Sequence, residues 1–310
     1  MSKLKRNQVI SSEKTNNNKK EGSYPDQLFL PEDRDRYAEG GLWLNSSYKK
    51  SHKNQPLISV VTIVFNGEAY IEETILSVLN QAYDNIEYII IDGGSTDLSC
   101  EIIKKYEDKI DYWLSEKDNG IYDAFNKGIS LCTGKYVGLI NADDYYNLNA
   151  IKTVVQAHLQ FPEIDIFYGD MYLHNEKHHR KKRMNALSLD NLDSDICVNH
   201  PTCFVRRKIY NDFQFDLNYR LSADYDLIIR FFKNNFKFHY IDKIIANMRD
   251  GGVSTAFDKA EKETYAIRKK YFGKGIANKV YLKKLVRKWI KSVGTLVFSE
   301  RKWIEKRYSD

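Results

Sequence analysis

Apolar residues are thin over the first two dozen positions and then, from Leu57, gather into short regular blocks. LISVVTIVFN, with Pro56 before it and Asn66 and Gly67 at its end, is a β-branched run of strand length, the pattern of a strand buried on both faces. Ile71, Ile75, Val78 and Leu79 then recur at the spacing of one helix face. IEYIIID predicts a second buried strand running into GGSTD, where Ser95 or Thr96 can cap the next helix. DYWLSEK reads as a third strand and KYVGLI as a fourth. Between them Ile121, Ala124, Phe125, Gly128, Ile129 and Cys132 line a helix, and NLNAIKTVVQAHLQF predicts another.

Strand and helix alternate from residue 57 to about 162, which calls for an α/β fold: a Rossmann-like, mainly parallel (mixed) central sheet flanked by helices. Ligands in such sheets bind at the carboxyl ends of the strands. Past Ile166 the pattern loosens. IFYGDMYLH and HHRKKR predict a strand leading into a hairpin or loop, Tyr225, Ile228, Ile229 and Phe232 mark a helix starting near Asp224, and FKFHYIDKIIANM reads as strand. The chain divides into an N-terminal extension (1–56), disordered over about its first 24 residues, an α/β domain (57–255) and a basic helical C-terminal segment (256–310).

Charge and composition sharpen this. The formal net charge of +6 is modest, but from Thr264 to Lys291 there are ten Lys or Arg and no Asp or Glu. Four cysteines form no paired motif and seven histidines complete no zinc spacing, which points to a reduced compartment. The first residues lack the apolar stretch of a secretory signal, and no run reaches the roughly 20 apolar residues of a membrane span. A soluble or peripheral protein of the cytoplasm is expected.

The chemistry sits at the strand ends. The second strand ends in Asp92, and the fourth runs into Asn141, Asp143 and Asp144. Adjacent carboxylates repel, and a hard divalent cation is the usual relief. Mg²⁺ favours one or two protein carboxylates plus substrate phosphates, so an acidic pair at a ligand-facing edge implies a phosphate-bearing substrate. The alternative is that the pair merely caps the next helix.

SVVTIVFNGEAYIEETILSVLNQ, EYIIIDGGSTD, SEKDNGIYDAFNKGI and GKYVGLINADDYY, in this order, resemble the family 2 glycosyltransferases of GT-A fold. DNGIYDAFNKG and the later RDGGVS are similar to the branch that builds bacterial O-antigens and related surface polysaccharides. The resemblance covers roughly residues 57 to 255. It implies an inverting, metal-dependent transfer of a sugar from a nucleotide-diphosphate donor to an acceptor hydroxyl, with Mg²⁺ or Mn²⁺ as cofactor. Phe65 and Asn66 would lie beside the nucleotide base, Asp92 would accept a hydrogen bond from it, and Asp118 would lie near base or ribose. Asp143 and Asp144 match the DXD-type motif, Asp144 being the metal ligand. Asp224 matches the Asp of the family's Glu-Asp motif and would be the general base; the family's Glu is Ala223 here, and Asp226 competes for the role. His200 matches a family His near acceptor or diphosphate.

Other segments carry weaker signals. Gly251 and Gly252 of RDGGVST would let backbone N–H groups approach a phosphate, or simply turn the chain. His174, His178 and His179 lack a matching carboxylate or Cys cluster, so that segment reads as solvated. Leu282, Leu285, Val286, Trp289, Ile290, Val293 and Leu296 form one helical stripe, with Lys283, Lys284, Arg287, Lys288 and Lys291 largely opposite, the pattern of an interfacial membrane helix; packing on the domain or on a second copy is the alternative. The resemblance implies a lipid-linked glycan acceptor, reached on the cytosolic face of the inner membrane. The chain lacks the QxxRW motif and membrane helices of processive members, so one sugar per encounter is expected. The body lacks a basic face, so nucleic acid is not an expected partner. A sugar nucleotidyltransferase would need a glycine-rich basic loop where FNGEAYIEE stands, and a non-catalytic sugar-nucleotide-binding scaffold remains the other alternative.

Overall fold

The computed structural model describes residues 36–250 and 257–297. In chain order the strands are β1 (Arg36–Gly40), β2 (Ile58–Val64), β3 (Ile86–Asp92), β4 (Tyr112–Glu116), β5 (Tyr136–Asn141), β6 (Tyr145–Tyr146), β7 (Ile166–Asn175), β8 (Arg180–Met184), β9 (Phe204–Arg206) and β10 (Phe238–Arg249). The α-helices are α1 (Ile71–Leu79), α2 (Ser99–Lys104), α3 (Ile121–Leu131), α4 (Ala150–Gln160), α5 (Ala223–Lys233), α6 (Phe257–Phe272) and α7 (Lys274–Val297).

All ten strands join one sheet in the order β1-β4-β3-β2-β5-β9-β7-β10-β6, with β8 hydrogen-bonded to β7. The pairs β2–β3, β2–β5, β3–β4 and β7–β10 are parallel. β9 runs against both β5 and β7, so the sheet is mixed, with a parallel centre. Every residue of β2 and β3 is buried, which explains their unbroken apolar runs. Val61, Ile63, Ile89 and Ile91 join the core under α3 and α5. Val60, Val64, Tyr88 and Ile90 join the opposite core under α1 and α4. Helix α3 lies unusually close to β2, because a Cβ at Gly128 would stand 2.3 Å from Val61 Cγ1.

The sheet begins upstream of Leu57, inside the expected N-terminal extension. β1 pairs antiparallel with β4, and Arg36 meets Glu116 at 2.9 Å. Trp43 is 2% exposed and stacks on Tyr112 with centroids 5.5 Å apart. Lys49 donates to Asp111 at 2.7 Å and to the Ile86 carbonyl at 2.6 Å. Residues 36–49 therefore close the sheet's edge and belong to the same core.

A second difference concerns the α2 cap. Neither Ser95 nor Thr96 reaches it; the helix starts at Ser99, whose N–H donates to Asp97 Oδ1 at 3.0 Å. Ser95 and Thr96 instead clasp Asn66: Ser95 Oγ accepts from Asn66 N at 2.7 Å, and Thr96 N donates to Asn66 Oδ1 at 2.8 Å. HHRKKR forms β8 and the turn before it, the hairpin alternative of the sequence reading.

Candidate active site

Strand order reverses at β2: β3 and β4 extend to one side and β5 lies on the other. Connections leave the carboxyl ends of β2 and β5 in opposite directions there, opening a crevice. A cleft of about 1330 Å³ occupies this position. Its walls include Phe65, Asn66, Gly93, Asp118, Tyr122, Asn141, Asp143, Asp144, His200, Asp224 and Arg249. Of the eight expected site residues, seven line this one cavity, and they come from loops after β2, β4 and β5, from the turn before β9 and from α5.

Asn66 sits at φ 50°, a left-handed conformation that Asn tolerates and β-branched residues do not. This bend turns the chain off β2 and leaves Phe65 64% exposed on the cleft wall. Asp118 accepts from Gly120 N at 2.8 Å as α3 begins. Burial holds its carboxyl above the ordinary carboxylate range.

Asp92 is the exception. It is 0% exposed and does not line the cleft. Its Oδ2 accepts from Gly94 N at 3.1 Å, Ser95 N at 3.0 Å and Ser115 Oγ at 2.5 Å. The expected hydrogen bond from a base thus has no open path to this carboxylate here. Asp92 shapes the loop that presents Gly93, and a Cβ on Gly93 would stand 2.4 Å from Asp118 Oδ2.

The acidic pair divides unevenly. Asp143 is half-buried, whereas Asp144 is 1% exposed. Asp144 accepts only long hydrogen bonds, 3.3 Å from Asn141 Nδ2 and 3.3 Å from Arg249 N. Burial first, then the neighbouring Asp143, pushes the Asp144 carboxyl up to about 8. Thr74 Oγ1 on α1 fixes this loop through the Ala142 and Asp144 carbonyls, at 2.7 and 2.6 Å. Among the described residues no three His, Cys, Asp or Glu side chains gather as a metal cluster. His174 instead pairs with Asn247 at 2.9 Å.

Asp224 opens the first turn of α5 and accepts from Tyr122 Oη at 3.1 Å. Asp226, the competing candidate, is 0% exposed. It accepts from Arg230 Nε at 2.7 Å, Tyr271 Oη at 2.9 Å and Lys270 Nζ at 3.4 Å, tying α5 to α6. His200 packs edge-on against Phe125 and Phe215, at 5.5 and 5.9 Å between centroids. Burial lowers its pKa, opposed by nearby Asp224, so the ring is neutral at neutral pH.

Arg249, at the end of β10, is a cleft residue that the sequence reading passes over. Its Nη1 donates to the Asp143 carbonyl and its Nη2 to Glu73, both at 2.5 Å, and its Nε pairs with Glu176. The guanidinium lies over Tyr70 and Tyr145, 4.4 and 5.1 Å from the ring centroids. The RDGGVS segment is the only sequence signal for it, and Gly251 and Gly252 lie outside the described residues.

An open, mainly parallel sheet with acids converging at its strand-end cleft has its ligand site where open α/β sheets place it. The family model "Glycosyl transferase family 2" matches residues 59–213, half of the 310-residue chain. The chain belongs to this family and is a glycosyltransferase of GT-A fold. A "PGL/p-HBAD biosynthesis glycosyltransferase" of Mycobacterium bovis is 28% identical over 212 residues, spanning 66% of this chain and 82% of that one. "Glycosyltransferase GlyG" of Streptococcus pneumoniae is 34% identical over 123 residues, 39% of this chain and 40% of that one. The crystal structure of S. aureus TarS 1-349 superposes with a TM-score of 0.52 at 17% identity, covering 68% of this chain and 65% of that one. The same protein is also known in complex with UDP.

Proposed function

We propose that this glycosyltransferase moves a sugar from a nucleotide-diphosphate donor to an acceptor hydroxyl with inversion, Asp224 acting as general base. The observation that carries the reading is that Asp118, Asp143, Asp144 and Asp224 line one cleft. Its volume, about 1330 Å³, exceeds the roughly 300–1,000 Å³ of a single small-ligand pocket and leaves room for donor and acceptor together. The existence of a TarS complex with UDP supports a nucleotide donor.

Phe65 and Asn66 bound the base, Asp118 contacts base or ribose, and Asp92 serves them by holding the Gly93 loop. His200, neutral and half-buried on the cleft wall, offers a hydrogen bond to acceptor or diphosphate. Asp224 removes the acceptor proton as the hydroxyl attacks, a task worth about 10² to 10⁴ in rate. In-line attack from the face opposite the leaving diphosphate inverts the anomeric centre.

The residues present fit a divalent cation. A nearly inaccessible carboxylate with only long hydrogen bonds, beside a second one, is the kind of site that Mg²⁺ or Mn²⁺ relieves. Asp144 would hold the ion, with Asp143 beside it and donor phosphates as further ligands. When bound, it neutralises charge on the departing diphosphate.

The acceptor is a lipid-linked glycan of surface polysaccharide (O-antigen or capsule) assembly, met at the cytosolic membrane face. The way α7 packs supports this. Ala277 and Val280 are buried, and Lys284 donates to Glu261 of α6 at 2.6 Å. The large apolar side chains face away: Leu282 is 62% exposed, Trp289 69% and Ile290 58%. With Lys283 and Arg287 flanking, that face suits an anionic bilayer. No described helix is long and apolar enough to cross one.

The test is nucleoside-diphosphate release from a panel of UDP-, GDP- and dTDP-sugars, with Mn²⁺ and with EDTA. Mn²⁺-dependent release from one donor is expected. Tight nucleotide binding with no release from any donor would favour the scaffold reading.

A further inference from the structure

We propose that Tyr122 is a positioning residue that aims the Asp224 carboxylate, and that the YDAFNKG stretch exists largely to hold that phenol in place. The inference rests on the reading of Asp224 as the base.

Tyr122 lies on the first turn of α3, four residues after Asp118, so one short segment serves both the donor side and the base. Its hydroxyl donates to Asp224 Oδ1 across 102 residues of sequence, at 3.1 Å. The ring is 8% exposed and stacks on Phe215, with centroids 5.1 Å apart and planes 28° from parallel. Phe215 is in turn locked to the same helix. Asn126 Nδ2 donates to the Phe215 carbonyl at 3.0 Å, and Phe215 N donates back to Asn126 Oδ1 at 3.0 Å. Phe125 completes the wall, 5.8 Å from Phe215 and 5.5 Å from His200. The phenol therefore cannot swing away without leaving its stack on a Phe215 that the reciprocal pair with Asn126 holds in place.

This geometry restricts the carboxylate to few orientations, the part of a barrier that a misplacement of an ångström forfeits. Burial raises the Tyr122 pKa far above its ordinary value, so the phenol remains a donor throughout the working range. Tyr122 of α3 contacts Asp224, and His200 and Cys203 from the turn before β9 lie within its electrostatic reach.

The experiment is Tyr122→Phe in the full chain, which removes one oxygen and keeps the stack. With the nucleotide sugar that releases its nucleoside diphosphate fastest in a panel of UDP-, GDP- and dTDP-sugars, kcat should fall about 10- to 100-fold with donor KM unchanged. Independently of any donor, ¹³C-carboxyl aspartate NMR, assigned through Asp224→Asn, should show the Asp224 carboxyl resonance displaced in Tyr122→Phe. An unmoved resonance, or a variant that only melts earlier at unchanged kcat, would overturn the proposal. If Asp224→Asn retains turnover while the resonance still moves, the base reading fails but the hydrogen bond stands.

Discussion

Asp224 and Asp226, two positions apart on α5, point about 200° away from one another around the helix, and this separates their tasks. Asp224 faces the cleft and meets Tyr122, while Asp226 is fully buried among Arg230, Lys270 and Tyr271. Its cationic partners Arg230 and Lys270 are 22% and 48% exposed and stay solvated when the carboxylate is lost, so the cost falls below the roughly 3–5 kcal/mol of a fully buried pair. Asp226→Asn should therefore lower stability in urea unfolding, while the folded fraction keeps its kcat. A stable but inactive Asp226→Asn would return Asp226 to candidacy as the base.

The Asp144 carboxyl, pushed up to about 8, fixes a direction for pH. An unfolded Asp loses its proton near pH ~4, so between about 4 and about 8 the folded chain holds more protons than the unfolded one. This group's contribution to stability is then fullest at the acid end and fades as pH rises through that window. A cation needs the deprotonated pair, so Mn²⁺ should raise Tm more at pH 8 than at pH 5, and Asp144→Asn should erase the difference. Equal Mn²⁺ shifts at both pH values would place the ion elsewhere.

Gly93 offers a test of the nucleotide end that leaves every charge in place. A methyl there would stand 2.4 Å from Asp118 Oδ2 and must push that carboxylate aside. Gly93→Ala should weaken UDP–Mn²⁺ binding by about tenfold, or ~1.4 kcal/mol, in isothermal titration, with little change in kcat at saturating donor. Unchanged affinity would remove Asp118 from the donor site.

For α7, the exposed apolar face predicts membrane binding that needs both the stripe and the charges. Co-sedimentation with phosphatidylglycerol vesicles should be strong at low salt and weak with phosphatidylcholine. Trp289→Glu should reduce it at least tenfold, and Arg287→Gln by about 1 kcal/mol. If Trp289→Glu instead converts a dimer to a monomer at unchanged vesicle binding, the face belongs to a second copy.

The parallel centre of the fold is legible in the sequence because strands buried on both faces show as unbroken β-branched runs, as in β2 and β3. β1 is not, since RYAEG carries charges whose pairing with Glu116 and Tyr112 appears only once β4 lies beside it. At the site, Asp118, Asp143, Asp144 and Asp224 stand out as acids at strand or helix ends. Asp92 shares that signature, yet Ser95 and Ser115 enclose it, and nothing local tells a lining carboxylate from a loop-shaping one. Arg249 is illegible for the opposite reason. Its partners Glu73 and Glu176 lie 176 and 73 positions away, so its role exists only in three dimensions.

The role proposed for Asp224 is proton acceptor rather than donor-site ligand, and a paired measurement on Asp224→Asn addresses it most directly. Donor dissociation constant and donor turnover are determined on the same preparation with Mn²⁺. Turnover is expected to fall at least ~100-fold, with affinity within about twofold of the unaltered chain. Affinity lost in proportion to turnover, or turnover retained, would contradict it.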